Sequence, residues 1–213
     1  MIREETIYYT IDGSDPTTNS AIYHKPILLD KTTTIKAFAT LPGLRESFSI
    51  TSSFQKIPKN RKIELRTKYS PQYTAGGDMA LIDFERGSDD FRTGSWQGYE
   101  GVDIDAIVDL GEAQPVHSLA AGFLQDIRSW IFFPLEVTFF LSDDGKTFTS
   151  AGTIKNDVPV NREGALTKDF TLKLNGLAAR YVRMVARNRG TCPPWHPGAG
   201  NKAWIFADEI IIE

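Results

Sequence analysis

The sequence predicts an all-β chain, and three observations carry that expectation. Short runs rich in β-branched and aromatic residues recur from end to end, clusters of Gly, Pro, Asn, Asp and Ser separate them, and apolar residues almost nowhere repeat at helical spacing. Many short strands joined by frequent turns are the pattern of a β-sandwich.

The elements follow in order. Asp12-Gly13-Ser14-Asp15-Pro16 reads as a turn between strands, with Gly supplying φ freedom and Pro fixing the exit. Strands are expected at Thr33 to Ala39, Ile104 to Leu110, Val137 to Leu141, Phe170 to Leu174, Tyr181 to Ala186 and Trp204 to Ile212. Within the second, Ile104, Ala106, Val108 and Leu110 alternate with Asp103, Asp105 and Asp109, so one face is dry, and only Ile107 breaks the pattern. Phe139 to Phe148 reads as a hairpin, because Asp144-Gly145 supplies the positive φ that a tight reversal needs.

Composition sets outer bounds. The chain has 213 residues, 41% hydrophobic and 24% charged, which is ordinary for a chain that buries a core and unlike a disordered tail or a fibre. Twenty-four Lys and Arg against twenty-seven Asp and Glu give a net charge of -3, too balanced for binding driven by counterion release, so nucleic acid is not an expected partner. No run approaches the length that crosses a bilayer, and Met1-Ile2-Arg3-Glu4-Glu5 carries no apolar signal core. Cys192 is alone, so no internal disulfide is expected. A basic, proline-containing stretch around Phe54 to Lys62 divides the chain, giving an expected first domain over 1–56, a linker over 57–62 and a second domain over 63–213. The first piece is short for a sandwich standing alone, and the second suits one.

Two resemblances cover almost the whole chain. Ile7 to Thr17, with Tyr23, Pro26 and Thr32 to Ala37, resembles the fibronectin-type-III-like domain that follows the catalytic barrel of bacterial β-hexosaminidases and chitobiases, here a partial Ig or fibronectin-III-like sandwich without its opening strands. From about Ile63 to Glu213 the chain resembles discoidin-type domains, the jelly-roll β-sandwiches of coagulation factor type C repeats and family 32 carbohydrate-binding modules. That likeness rests on Ala80 to Asp83, Trp96 to Tyr99, Val108 to Gly111, Val137 to Phe148 and Ala179 to Arg183. Gly122 to Asp126 and Trp130 to Pro134 are similar to the versions attached to family 20 glycoside hydrolases. Where most members have Gly after the residue at Asp83, this chain has Phe84.

Catalysis is not expected of this chain. Glycoside hydrolysis usually needs two carboxyl groups facing each other about 5 to 10 Å apart. The adjacent pairs Asp89-Asp90, Asp143-Asp144 and Asp208-Glu209 read instead as turn or surface groups, because strand neighbours point to opposite faces and turn carboxylates bond the backbone. No nucleophile elbow, zinc-protease pattern or phosphate loop is present.

The resemblance implies a structural calcium ion. Carried over by position, Asp83 and Asp90 would give side-chain oxygens, Gly87 a carbonyl, Ser88 or Thr93 a further oxygen, and Glu209 a carboxylate from the last strand. The alternative is a solvated acidic loop partly neutralised by Arg86 and Arg92.

A sugar needs a flat apolar surface for its C–H face and a few polar groups for its hydroxyls. Two irregular segments have that composition, Gln125 to Trp130 and Arg187 to Lys202, the second stiffened by Pro193, Pro194 and Pro197. Trp130 and Trp195 are expected to stack on the ligand, with Asp126, Arg128, His196 and Asn201 as hydrogen-bonding groups; either Trp could instead plug the core, as is expected of Trp96 and Trp204. The resemblance implies a non-catalytic carbohydrate-binding fragment of an exported glycoside hydrolase, periplasmic or at the cell surface, that holds galactose- or N-acetylhexosamine-containing glycans near an upstream catalytic domain. Rival readings are a spacer, and a protein- or membrane-binding domain using Ile131 to Leu135, although burial is the simpler account of that run.

Overall fold

A computed structural model describes residues 5–54, 56–58 and 60–213. The start of the chain, and Gln55 and Lys59 at the expected boundary, lie outside the described residues. The chain separates into two compact units, 1–58 and 59–213.

The first unit is a four-stranded antiparallel sheet in the order β2-β1-β3-β4, with β1 Thr6–Thr10, β2 Ala21–Ile22, β3 Thr33–Thr40 and β4 Ile50–Phe54. Tyr8 pairs with Phe38 across β1 and β3, and their rings stack at 5.5 Å. The Asp12 turn forms as the sequence predicts: the Asp12 carboxylate accepts from the Ser14 hydroxyl at 2.6 Å and backbone N–H at 3.0 Å, and these bonds lower its pKa.

The second unit is also β throughout, with no α-helix among the described residues and only short 3-10 turns. Its strands are β5 Lys62–Leu65, β6 Gln97–Glu100, β7 Ile104–Gln125, β8 Glu136–Ser142, β9 Thr149–Lys155, β10 Leu166–Ala186 and β11 Trp204–Ile212. The expected linker therefore ends inside a strand, since Lys62 pairs with Asp109. The long strands β7 and β10 pair antiparallel along most of their length. The first half of β7 also pairs with β5, and its second half with β11, while the end of β10 carries β8 and then β9. Irregular register at Lys173/Leu177 and Ala179/Tyr181 divides the long pair in two, and both halves turn their apolar faces onto one core.

The alternation in β7 does what its residues require. Ile104, Ala106, Val108 and Leu110 are buried, while Asp105 and Asp109 on the other face form paired hydrogen bonds with Arg183 and Arg180 at 2.7–3.0 Å. The predicted hairpin is β8 and β9. At its turn Asp144 accepts from the N–H groups of Thr147 and Lys146 and from the Ser142 hydroxyl, which together lower its pKa to about 2. At the centre Phe170 meets Phe123 edge-on at 5.4 Å and Phe133 at 5.9 Å, all three buried. Phe170→Ala should therefore cost about 3–5 kcal/mol, read as a lower urea midpoint with an unchanged slope.

Candidate functional site

Two loops at one end of the second unit build the site. In the first, Ile127–Ser129 forms a single 3-10 turn that ends at Trp130 in the left-handed region, φ 64 and ψ 17. A non-glycine residue there costs about 1–2 kcal/mol, so its surroundings must hold it. They do so through the backbone: Trp130 N–H donates to the Ile127 carbonyl at 3.0 Å, Trp204 N–H donates to the Trp130 carbonyl at 2.9 Å, and Asp126 and Ile131 exchange both of their backbone hydrogen bonds.

The second loop, between β10 and β11, is closed on itself. Cys192 N–H donates to the Asn201 carbonyl and Ala203 N–H to the Gly190 carbonyl, while the Asn188 amide donates to the carbonyls of Val102 and Ala203. His196 joins the two loops. It is buried, its Nδ1 accepts from Gly198 N–H at 3.0 Å, and its Nε2 lies 2.6 Å from the Ile127 carbonyl. An acceptor at Nδ1 leaves the hydrogen on Nε2, so the ring donates to Ile127 and has no nitrogen to offer a ligand. His196 is therefore a brace, where the sequence suggests a sugar contact.

The loops enclose a hollow of about 390 Å³ lined by Ile127, Arg128, Trp130, Trp195, His196 and Pro197, with Glu163 from the loop before β10 completing the rim. Trp130 is 37% exposed and Trp195 is 49% exposed, so neither indole is a core plug. Gly198 lies against Trp130 so closely that a Cβ there would fall 2.7 Å from the indole. Arg128 and Glu163 approach to 3.4 Å, and both side chains stay largely in solvent, which makes the pair weak and free to re-pair with hydroxyls.

Four of the six expected ligand contacts thus line this hollow, Arg128, Trp130, Trp195 and His196, the last as support. Asp126 lines the adjoining hollow, with its carboxylate accepting from the Ser129 hydroxyl at 2.7 Å. Asn201 lines neither, because its amide donates to the Gly198 carbonyl and closes the loop. Glu163 escaped the sequence reading: Arg162-Glu163-Gly164 is an ordinary polar turn, and only the fold carries it across to Arg128. The apolar run Ile131 to Phe133 is buried, as expected, and Leu135 alone is partly exposed. Trp96 is fully buried and Trp204 is half-buried against Tyr73 and Phe206.

Several of the residues suggested for calcium also bond the protein itself. Among the described residues no three His, Cys, Asp or Glu side chains converge as metal ligands, although calcium also takes backbone carbonyl oxygens. The Ser88 carbonyl accepts from Trp96 Nε1, the Thr93 hydroxyl donates to the Asp90 carbonyl, and the Asp90 carboxylate caps Arg92 N–H. Asp83 accepts from Glu85 N–H. Gly87 presses on the Trp96 ring, and its N–H donates to Asp208 at 2.9 Å.

The acidic end of the sheet already has a cation. Arg86 donates to Asp208 at 2.8 Å and also pairs with Asp169; burial works to lower its pKa, but these two carboxylates raise it overall. A register shift between Ala207 and Ile210 turns both Asp208 and Glu209 into the interior, against the expectation that strand neighbours face opposite ways. Burial raises the pKa of both, Glu209 to about 8 despite the hydrogen bond from Phe84 N–H. Among the described residues Asp208 Oδ1 and Glu209 Oε1 are buried without a hydrogen-bond partner, and they are the oxygens a cation would satisfy. Phe84 itself holds φ 68, the left-handed geometry for which glycine is favoured.

The second unit is thus a β-sandwich, with no α-helix among its described residues, that carries a partly aromatic hollow where its loops meet. The F5/8 type C domain model matches residues 66–208, so the chain belongs to that family. A second model, described as Fn3 associated, matches residues 1–54. Similar solved structures include the C-terminal domain of a chitobiase from Bacteroides fragilis, 16% identical over 74% of this chain and 95% of that one, TM-score 0.47. The CBM32-3 module of a family 31 glycoside hydrolase from Clostridium perfringens is 12% identical over 74% and 92%, TM-score 0.48. A family 32 module from C. perfringens in complex with galactose is 17% identical over 73% and 96%, TM-score 0.46. No curated protein matches the chain.

Two outcomes follow from the acidic end. A thermal melt with and without a chelator tests the calcium expectation: removing a bound ion lowers the midpoint, and an unchanged midpoint counts against the ion. Arg86→Ala should destabilise by about 2–3 kcal/mol, less than a fully buried pair because the arginine is 42% exposed, with urea unfolding as the measurement.

Proposed function

We propose that the second unit is a non-catalytic carbohydrate-binding module. The observation that carries this reading is that two half-exposed indoles, Trp130 and Trp195, line one hollow, with exposed Arg128 and Glu163 at its rim. An indole face offers the flat apolar surface that a sugar ring's C–H groups seek, and a guanidinium and a carboxylate supply donors and acceptors for its hydroxyls. His196 and Gly198 keep the aromatic surface in place.

The finer reading follows the sequence resemblance. The module belongs to an exported glycoside hydrolase of the β-hexosaminidase type, periplasmic or at the cell surface, whose upstream catalytic domain cleaves while this unit retains galactose- or N-acetylhexosamine-containing glycans. Affinity of about millimolar, roughly -4 kcal/mol, is enough for that task, because tethering raises the effective concentration of substrate. The burial of Ile131 to Phe133 gives no support to a membrane-inserting loop.

A glycan array followed by calorimetry on the best ligands tests the proposal. Trp130→Ala and Trp195→Ala should each weaken binding about tenfold, the loss of one stacking contact of about 1.4 kcal/mol. Gly198→Ala should weaken it too, because the added methyl displaces the Trp130 indole. Retention unchanged in both Trp variants would favour a spacer, and glycosidase turnover by this chain alone would end the non-catalytic reading.

A further inference from the structure

The hollow between the indoles is not isolated. A larger one of about 560 Å³ adjoins it and shares Arg128 and Glu163 as lining residues. Its other walls are Asp89, Asp90, Phe91 and Arg92 from the loop before β6, Asp126 from the start of the Trp130 loop, and Gly164 and Ala165 beside Glu163.

The chemistry of this second space differs from the first. It has no exposed indole; Phe91 is turned into a cluster with Tyr73 and Phe206, at 6.0 and 5.7 Å, leaving part of its ring to the hollow. Carboxylates and guanidiniums dominate instead. Their mutual pairings are loose, Arg92 to Asp90 at 3.7 Å and Arg128 to Glu163 at 3.4 Å, and the four side chains are 53–80% exposed. Such groups exchange water for sugar hydroxyls at small cost, each carboxylate accepting and each guanidinium donating. Four carboxylates against two guanidiniums suit an uncharged, hydroxyl-rich ring better than an anionic one.

We propose that the site takes an oligosaccharide of at least two units, one ring on Trp130 and Trp195 and the next across the Arg128–Glu163 ridge in the Asp89–Arg92 hollow. This rests on the carbohydrate-binding reading and adds a second subsite to it. The ridge residues contact both rings, so they link recognition of one unit to the other.

Calorimetry on the full chain tests this with galactose, N-acetylglucosamine, their disaccharide N-acetyllactosamine, and N,N′-diacetylchitobiose. At least one disaccharide should bind about tenfold tighter than either of its component sugars. The surface variants Asp89→Asn and Arg92→Ala should remove that gain while leaving monosaccharide affinity unchanged. Equal affinity for one and two units, or a gain untouched by both variants, would overturn the second subsite and leave the carbohydrate-binding reading standing. No binding of any probe, with a glycan array also blank, would overturn both.

Discussion

The carbonyl oxygen of Ile127 accepts from two directions, from Trp130 N–H three residues on and from the His196 ring on the other loop. One acceptor with two lone pairs therefore fixes both segments that carry the indoles. The rest of the site depends on this tie. It holds Trp130 in a backbone geometry that a large side chain avoids, and it consumes the polar capacity of His196. Because backbone bonds, not side-chain burial, set the positions of the two tryptophans, their faces stay open to solvent. A surface ordered in advance loses little entropy when a ligand arrives, which is what a weak, shallow binder requires.

At another part of the unit the same logic runs on charge. The irregularity in β11 places two acidic side chains inside the sandwich, an arrangement that would be costly if both were ionised and alone. Arg86 and the Gly87 N–H meet Asp208, and the Phe84 N–H meets Glu209, whose pKa burial raises. The segment Phe84 to Gly87 is thus tied to the last strand by these hydrogen bonds. Its left-handed Phe84 is where glycine is usual in resembling domains, and the hydrogen bond to Glu209 helps to offset the strain.

Much of the architecture was legible in the residues. The Ile104 to Leu110 alternation, the Asp144-Gly145 turn and the Asp12 turn each form for the local reason that made them recognisable, since strand pleat and turn φ are short-range properties. The two indoles were legible too, as large aromatics in proline- and glycine-rich segments too irregular for strands. Four features were not legible, three of them because they turn on a partner distant in sequence, while Asn201 bonds Gly198 only three residues away. His196 found Ile127, Asn201 closed its own loop, Glu163 reached Arg128, and Asp208 with Glu209 turned inward at a bulge.

By itself, then, the sequence determined which segments are strands, where they reverse and which residue types a recognition loop would offer. Those choices follow from periodicity and backbone preference within a few neighbours. Only the tertiary structure decided which polar groups remain free for a ligand, because a side chain's hydrogen-bonding capacity is spent on whatever the fold brings beside it. The same pairing rule that turned a suggested sugar contact into a brace made an unremarked glutamate part of the rim.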